Sequence, residues 1–238
     1  MTEKNIAVVL AAGQGRRMQS AVQKQYILLS GKPVLYYSLA AFETCSFMDE
    51  IILVTQKDEI EYCRREIIRK YGFRKVTKIV AGGAERYLSV YEGLKNVDGS
   101  GYVYIHDGAR PFVNEEILQR VQAGVEKYQA CVAAMPVKDT IKIAGEDGFA
   151  KDTPDRKHVW MIQTPQAFEI SLIKDAYQKL MEQSIDSVTD DAMVLEKTEG
   201  KKVKLIEGSY RNIKITTPED LDIAEIFMKK IKKPIDKF

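Results

Sequence analysis

Cysteine is scarce in this chain: 238 residues hold only Cys45, Cys63 and Cys131. An odd number, widely spaced in apolar or helical patterns, argues against a disulfide framework or a cysteine metal site. It points to reduced structural thiols in a cytoplasmic protein. Histidine is scarcer still, with His106 and His158 alone, which argues against a histidine-rich metal centre or a Ser-His-Asp relay. A dominant charge is missing as well. The 36 basic residues stand against 34 acidic ones, for a formal net charge of +2, so nucleic acid is a poor first partner and any positive field must be local. The N-terminus carries no extended apolar signal segment, and no uncharged run is long enough to cross a bilayer. Repeats and low-complexity tracts are absent too. What remains is a chain that can bury a core without disulfides or metal, read as one domain over residues 1–238.

The pattern that is present alternates. The apolar run Ile6 to Leu10 reads as a buried strand, and Lys32 and Pro33 open a helix through Leu35, Leu39 and Phe42, with Pro33 in its first position. Ile51 to Thr55 is a strand, followed by a helix from Asp58 to Tyr71 with Ile60, Cys63, Ile67 and Tyr71 on one stripe. Val76 to Val80, a helix through Leu94, Tyr102 to His106, a helix capped by Asn114, and Ala130 to Met135 continue the rhythm. So many strand–helix units predict a largely parallel sheet with helices on both faces. After Pro136 the rhythm breaks, and Asp139 to Gln163 reads as a β-hairpin arm turning at Gly145 to Gly148. Its exposed strands need a cover, and a second subunit is the simplest one. Helices at Ser171 to Gln183 and Asp190 to Lys197, a strand at Val203 to Ile206, and a last helix with Thr217 as cap and Pro218 in its first position complete the chain. The basic tail from Lys229 to Phe238 is expected to fray.

In open α/β sheets ligands gather at the carboxyl ends of the strands, and the unusual segments fall there. The first strand breaks into LAAGQGRRM. Ala11, Ala12, Gly13 and Gly15 leave the backbone bare for an anion, with Arg16, Arg17 and Lys24 bringing charge. The spacing is neither a dinucleotide fingerprint nor a Walker A loop, since Met18 stands where a third glycine would and no GK[ST] follows. AGGAERYLS, HDGARP, QTPQ and NIKITTPED are read as four more such turns. Together they direct Arg17, Lys24, Arg86, Arg110 and Lys214 toward one cationic pocket. Asp107 is a candidate for Mg²⁺, which accepts few carboxylates plus substrate phosphates, or else a cap for the turn before Pro111. His106 reads as scaffold, and Asp190 and Asp191 as capping residues at a helix start.

The ordered set LAAGQGRRM, KQY, GGAER, HDGARP, PVKDTIK, QTPQAF, TDDA and NIKITTPEDL, from about Ala7 to Ala224, resembles the methylerythritol-phosphate cytidylyltransferases. The resemblance implies a Rossmann-like, three-layer α/β nucleotidyltransferase fold with a mostly parallel twisted sheet and a protruding dimerisation arm at about 137–163. It also implies a homodimer that uses Mg²⁺, CTP and a polyol phosphate, 2-C-methyl-D-erythritol 4-phosphate, and releases pyrophosphate. Carried over position by position, Arg17 and Lys24 match the pair that stabilises the charged transition state. Ala11 to Gly13, Gly83, Ser89 and Gly108 match nucleotide contacts, and Asp107 the metal and substrate aspartate. Thr140 and Arg156 of the arm, with Arg110, Thr164 and Lys214, match the group that grips the sugar phosphate. In the family the first two come from the neighbouring subunit.

Four positions depart from that pattern. Gln23 stands where proline usually precedes the lysine of KQY, Tyr87 and Leu88 precede Ser89 where small or polar residues are usual, and Gly108 replaces the commoner alanine. A ribitol-phosphate or other alditol-phosphate cytidylyltransferase is the nearest alternative, because its CTP loops would look alike. It is disfavoured by the LAAG and HDGARP spellings. A metal-dependent glycosyltransferase would want a DxD at a strand end, whereas Asp220 to Asp222 falls in the last helix. A nonenzymatic nucleotide-binding regulator would not need a second phosphate grip.

Overall fold

A computed structural model describes residues 3–13, 23–183 and 188–232. Arg16, Arg17 and Gly15 of the first loop, and the tail beyond residue 232, lie outside the described residues.

In chain order the elements are β1 (Lys4–Leu10), the short ribbon β2 (Leu28–Leu29) and β3 (Lys32–Pro33), α1 (Val34–Thr44), β4 (Glu50–Thr55) and α2 (Ile60–Tyr62). Then come β5 (Val76–Ala81), α3 (Arg86–Lys95), β6 (Gly101–Asp107), α4 (Glu115–Tyr128), β7 (Ala130–Pro136), β8 (Ile143–Ala144) and β9 (Ala150–Asp152). The chain closes with β10 (Trp160–Glu169), α5 (Ile170–Glu182), α6 (Asp191–Glu199), β11 (Lys204–Glu207) and α7 (Pro218–Lys232). Seven strands form one sheet in the order β11-β7-β10-β6-β1-β4-β5. All neighbours run parallel except β10, which is antiparallel to both β6 and β7.

Strand side chains alternate between faces, and here both faces are apolar, so β1 reads as an unbroken run. Ala7 and Val9 point to a cluster closed by Leu39 and Phe42 of α1, Cys63 and Ile67, and Val121 and Val125 of α4. Ile6 and Val8 point the other way, to Val90 and Leu94 of α3, Ile173 and Tyr177 of α5, and Leu195 of α6. Helix, sheet and helix are therefore the three layers. A smaller cluster around Leu29, Phe112, Ile215 and Met228 seats α7. Cys45, Cys63 and Cys131 are free and buried. Among the described residues no helix is long and apolar enough to cross a membrane.

The local signals behave as their chemistry requires at several ends. Asn114 accepts from the Ile117 N–H at 3.1 Å, and Asp190 from the Met193 N–H at 2.9 Å, each satisfying an otherwise orphaned donor. Pro218 opens α7, where Asp220 Oδ2 accepts from the N–H groups of Thr216 and Thr217. That acid is thus engaged in capping, not metal binding.

Four expectations are corrected. Pro33 sits one position before α1, because Ser30 and Gly31 turn with positive φ and hold Pro33 extended against Leu28. The stripe from Asp58 to Tyr71 is not one regular helix: a 3₁₀ turn leads through α2 into a π-helical stretch at Cys63–Arg69. The wider turn brings Ile68 inward beside Ile67. The hairpin of the arm is confined to β8 and β9, while residues 160–163 belong to β10 in the main sheet, paired with β7. For the same reason QTPQ is not a turn after a strand. It lies within β10 at an irregularity between Ile162 and Gln166, where the antiparallel strand passes the carboxyl end of β6.

Candidate active site

The carboxyl ends of β1, β4, β5 and β6 surround a cavity of about 630 Å³, lined among others by Ala11, Ala12, Gly13, Lys24, Gly83, Ser89, Asp107 and Lys214. That volume suits a small organic ligand. These sequence candidates, with Arg86, thus meet in one place.

The floor under Lys24 is built by its neighbours. Lys24 belongs to a 3₁₀ turn, Lys24–Tyr26. Gln25, buried, donates from Nε2 to the Ala11 carbonyl at 2.7 Å, and the Tyr26 hydroxyl donates to Glu59 Oε2 at 2.8 Å and meets Thr55 Oγ1 at 3.0 Å. These bonds tie the lysine turn to the ends of β1 and β4. On the facing side, Gly82 and Gly83 are held against the first loop and α3. A Cβ on Gly82 would lie 2.6 Å from Ala12 Cβ, and one on Gly83 would collide with Leu88 Cβ, so only glycine fits there. Leu88 is the side chain that packs under Gly83. Ser89 is buried, and its hydroxyl accepts from the Gly83 N–H at 3.2 Å.

Asp107 ends β6 on the other wall. Its Oδ1 accepts from Arg86 Nε at 3.2 Å, and its Oδ2 lies 2.8 Å from Lys214 Nζ and 3.8 Å from Arg110 Nε. Burial alone would push the Asp107 carboxyl up; Arg86, then Lys214 and Arg110, pull it well below the usual carboxylate range. Arg110 is fixed by the Asn212 carbonyl, 2.7 Å from its Nη1, and its buried Nε has no hydrogen-bond partner. Gly108 lies beneath the wall: a Cβ there would come 2.9 Å from both the Leu10 carbonyl oxygen and Leu35 Cδ1.

Thr164, expected in the phosphate grip, lies beside the end of β6. It is 3 % exposed, and its hydroxyl accepts from the Asp107 N–H at 3.1 Å and meets His106 Nδ1 at 3.0 Å. It props the end of β6 from behind the wall. Thr140 and Arg156 are exposed, and Arg156 donates to the Lys138 carbonyl at 3.1 Å. Neither lines the cavity of its own chain. Asp191 is more than a helix cap: it is wholly buried and takes both Nη atoms of Arg86, at 2.9 and 2.8 Å. The only sequence signal for that pair was two acids where one cap suffices.

His106 is scaffold. It is fully buried, bonded to Thr164 and facing the Arg110 carbonyl at 3.2 Å, and burial pushes its pKa down to about 4. The unfolded imidazole titrates near roughly 6.5. Because the folded value is the lower one, the stability tied to the neutral ring is complete above pH ~6.5 and is lost as pH falls toward 4, by about 3 kcal/mol in all. Urea unfolding from pH 7 to 4 should show this acid slope, and His106→Gln, with no proton to take up, should flatten it. Equal slopes would place the ring's protonation elsewhere.

A cavity at the carboxyl ends of a three-layer α/β sheet, with a small-residue loop on one side and lysine and arginine on the other, has the backbone and the charge that a phosphate requires. Solved structures share this fold. The crystal structure of 4-diphosphocytidyl-2C-methyl-D-erythritol synthase from Anaerococcus prevotii superposes with a TM-score of 0.84 at 37% identity, covering 95% of this chain and 96% of that one. The 2-C-methyl-D-erythritol 4-phosphate cytidylyltransferase of Francisella tularensis gives 0.79 at 27% identity over 94% and 99%. The fold and site define a nucleotidyltransferase, an enzyme that transfers a nucleotidyl group. Within that class, the family model for 2-C-methyl-D-erythritol 4-phosphate cytidylyltransferase matches residues 5–230. The cytidylyltransferase of that name from Lachnospira eligens is 56% identical over 94% of this chain and 99% of its own. The chain belongs to this family.

Proposed function

We propose that this enzyme joins CTP to 2-C-methyl-D-erythritol 4-phosphate, giving 4-diphosphocytidyl-2-C-methyl-D-erythritol and pyrophosphate, in a cytoplasmic homodimer. The observation that carries the reading is the wall where Arg86, Arg110 and Lys214 surround Asp107 beside the cavity. Attack of a phosphate monoester on the α-phosphorus of CTP gathers negative charge on the equatorial oxygens and on the leaving pyrophosphate, so fixed cations carry most of the catalysis. The attacking monoester, with a second pKa near roughly 6, is already largely dianionic at neutral pH. No general base is needed, which agrees with a histidine that is buried and neutral.

In this reading Arg17 and Lys24 bind the charge of the transition state. Ala11, Ala12, Gly13, Gly15 and Gly83, with Ser89 and Gly108, shape the nucleotide's half, and Lys214 and Arg110 hold the acceptor phosphate, with Thr164 fixing the wall behind them. Cations on both phosphates also prepay the entropy of bringing two anions together. For Mg²⁺ the donor set fits a cation that arrives on the CTP phosphates. Both Asp107 oxygens already face protein cations, and among the described residues no three acids, histidines or cysteines cluster to hold a metal. Asp107 is the carboxylate placed to meet it, and bound there it would neutralise phosphate charge. Pyrophosphate release with CTP and a panel of polyol phosphates tests the assignment. Turnover should be far fastest with the methylerythritol phosphate, and faster turnover with ribitol 5-phosphate would overturn it.

The arm supports the dimer. Phe149 is 76 % exposed and Ile143 49 % on its hairpin, while Thr140 and Arg156 are polar, exposed and absent from the lining of their own cavity. We assign these last two to the neighbour's acceptor site. Arg156→Ala and Lys24→Ala should each be inactive alone, yet a mixed dimer would carry one site with both defects and one with neither. Re-equilibrating the two proteins should restore up to about a quarter of parental activity if pairing is random. No recovery after proven subunit exchange would mean that Arg156 serves its own chain.

A further inference from the structure

Asp191 does more than its position at a helix start requires. The cap of α6 is already Asp190, and the buried N–H groups of Asp191 and Ala192, which have no partner within the helix, both donate to Gln166 Oε1 at 3.0 Å. The Asp191 carboxylate is therefore not needed by the helix. A carboxylate taken wholly out of water is costly unless every lone pair finds a donor. Here it accepts the fork of Arg86 on both oxygens, at 2.9 and 2.8 Å, and the Tyr177 hydroxyl on Oδ1 at 2.7 Å.

Arg86 is equally unexpected in isolation. It is the first residue of α3, where the helix dipole disfavours a cation. Two carboxylates offset that. With both Nη atoms committed to Asp191, only Nε faces Asp107, and it engages Oδ1 alone. Asp107 Oδ2 is thereby left to Lys214, a residue that lines the cavity, at 2.8 Å, with Arg110 Nε farther off at 3.8 Å. An arginine free of Asp191 would take a carboxylate with both arms of its fork, the favoured geometry. It would then compete with Lys214 for Asp107.

We infer that Asp191 is a positioning residue of the transfer reaction: by holding the fork of Arg86 it restricts that arginine to one oxygen of Asp107 and so keeps Lys214 on the other, aimed at the acceptor phosphate. The inference rests on the acceptor role proposed above for Lys214.

Two measurements on Asp191→Asn test it, with Arg86→Lys and Tyr177→Phe as companions should the first variant fold poorly. In steady state, Asp191→Asn and Arg86→Lys should lower kcat/KM for the polyol phosphate about tenfold or more, with KM for CTP close to that of the parent. The double variant should be no worse than the worse single one, as expected of residues in one chain of contacts. Tyr177→Phe should fall between. Independently of turnover, trace acetylation of amines with acetic anhydride, read by mass spectrometry, should rise at Lys214 relative to the exposed Lys127 in Asp191→Asn. Lower melting temperatures with parental kinetics and unchanged Lys214 labelling would reduce Asp191 to a structural residue and overturn the inference. If Lys214 labelling rises but acceptor kinetics do not change, the geometry holds and the acceptor role of Lys214 fails. A parent that releases no pyrophosphate would sink the functional reading, leaving the labelling to decide whether Asp191 sets Lys214.

Discussion

Lys24→Ala should lower kcat by about 10² or more while changing the affinity for CTP much less, as is typical when a preorganised charge is lost from a transition state. The structural basis is that Lys24 lines the cavity on a turn held by Gln25 and Tyr26, so truncating the lysine leaves its support in place. Charge on the transferring phosphoryl group and the leaving pyrophosphate grows only as the reaction proceeds, and a cation fixed beside them binds that change. Arg17→Ala, in the loop outside the described residues, is expected to behave alike from its place in the sequence motif. Steady-state kcat and KM for CTP, measured with saturating acceptor, decide the matter. Near-normal turnover in either variant would remove that residue from the catalytic role.

Asp107→Ala should cost about 3–5 kcal/mol of stability, the range for removing one partner of a buried ion pair. Arg110 has a side chain only 12 % exposed, and Asp107 is the acid it faces. Lys214, about a third exposed, contributes the least, since water already screens it. For a chain of this size the loss corresponds to a melting temperature lower by roughly 10 °C. Asp107→Asn retains one oxygen for Arg86 or Lys214 and should lose distinctly less stability, yet turn over poorly because the wall is no longer balanced. Calorimetry of both variants beside the parent checks this. A melting point within a degree or two of the parent for Asp107→Ala would mean that the wall relaxes into water and that the ion pairs carry little.

Local chemistry made much of this molecule readable. Runs such as Ile6 to Leu10 and Ala130 to Met135 are apolar on both faces because both faces of their strands are covered, and alternating them with amphipathic stretches leaves little choice but a helix-covered sheet. Asn114 and Asp190 cap because a short polar side chain before a helix satisfies a donor within three residues. The Gly- and Arg-bearing segments after β1, β5 and β6 stood out for the same reason: they break the periodic pattern where the strands end.

The sequence by itself therefore determined the alternation of elements, the carboxyl-edge loops and most of the residues that meet at the cavity, since each of these is written in spacings of a few residues. It did not determine that QTPQ runs inside an antiparallel β10, which brings the Thr164 hydroxyl to the Asp107 N–H and to His106. Nor did it determine that Arg86 meets Asp191, 105 residues away, or that Lys214 shares Asp107 with it. Periodicity and capping are decided within a turn or two of chain. An ion pair between distant segments exists only once α3, α6 and β6 have packed, and both its attraction and the desolvation cost that this attraction must repay depend on a burial that no local pattern records.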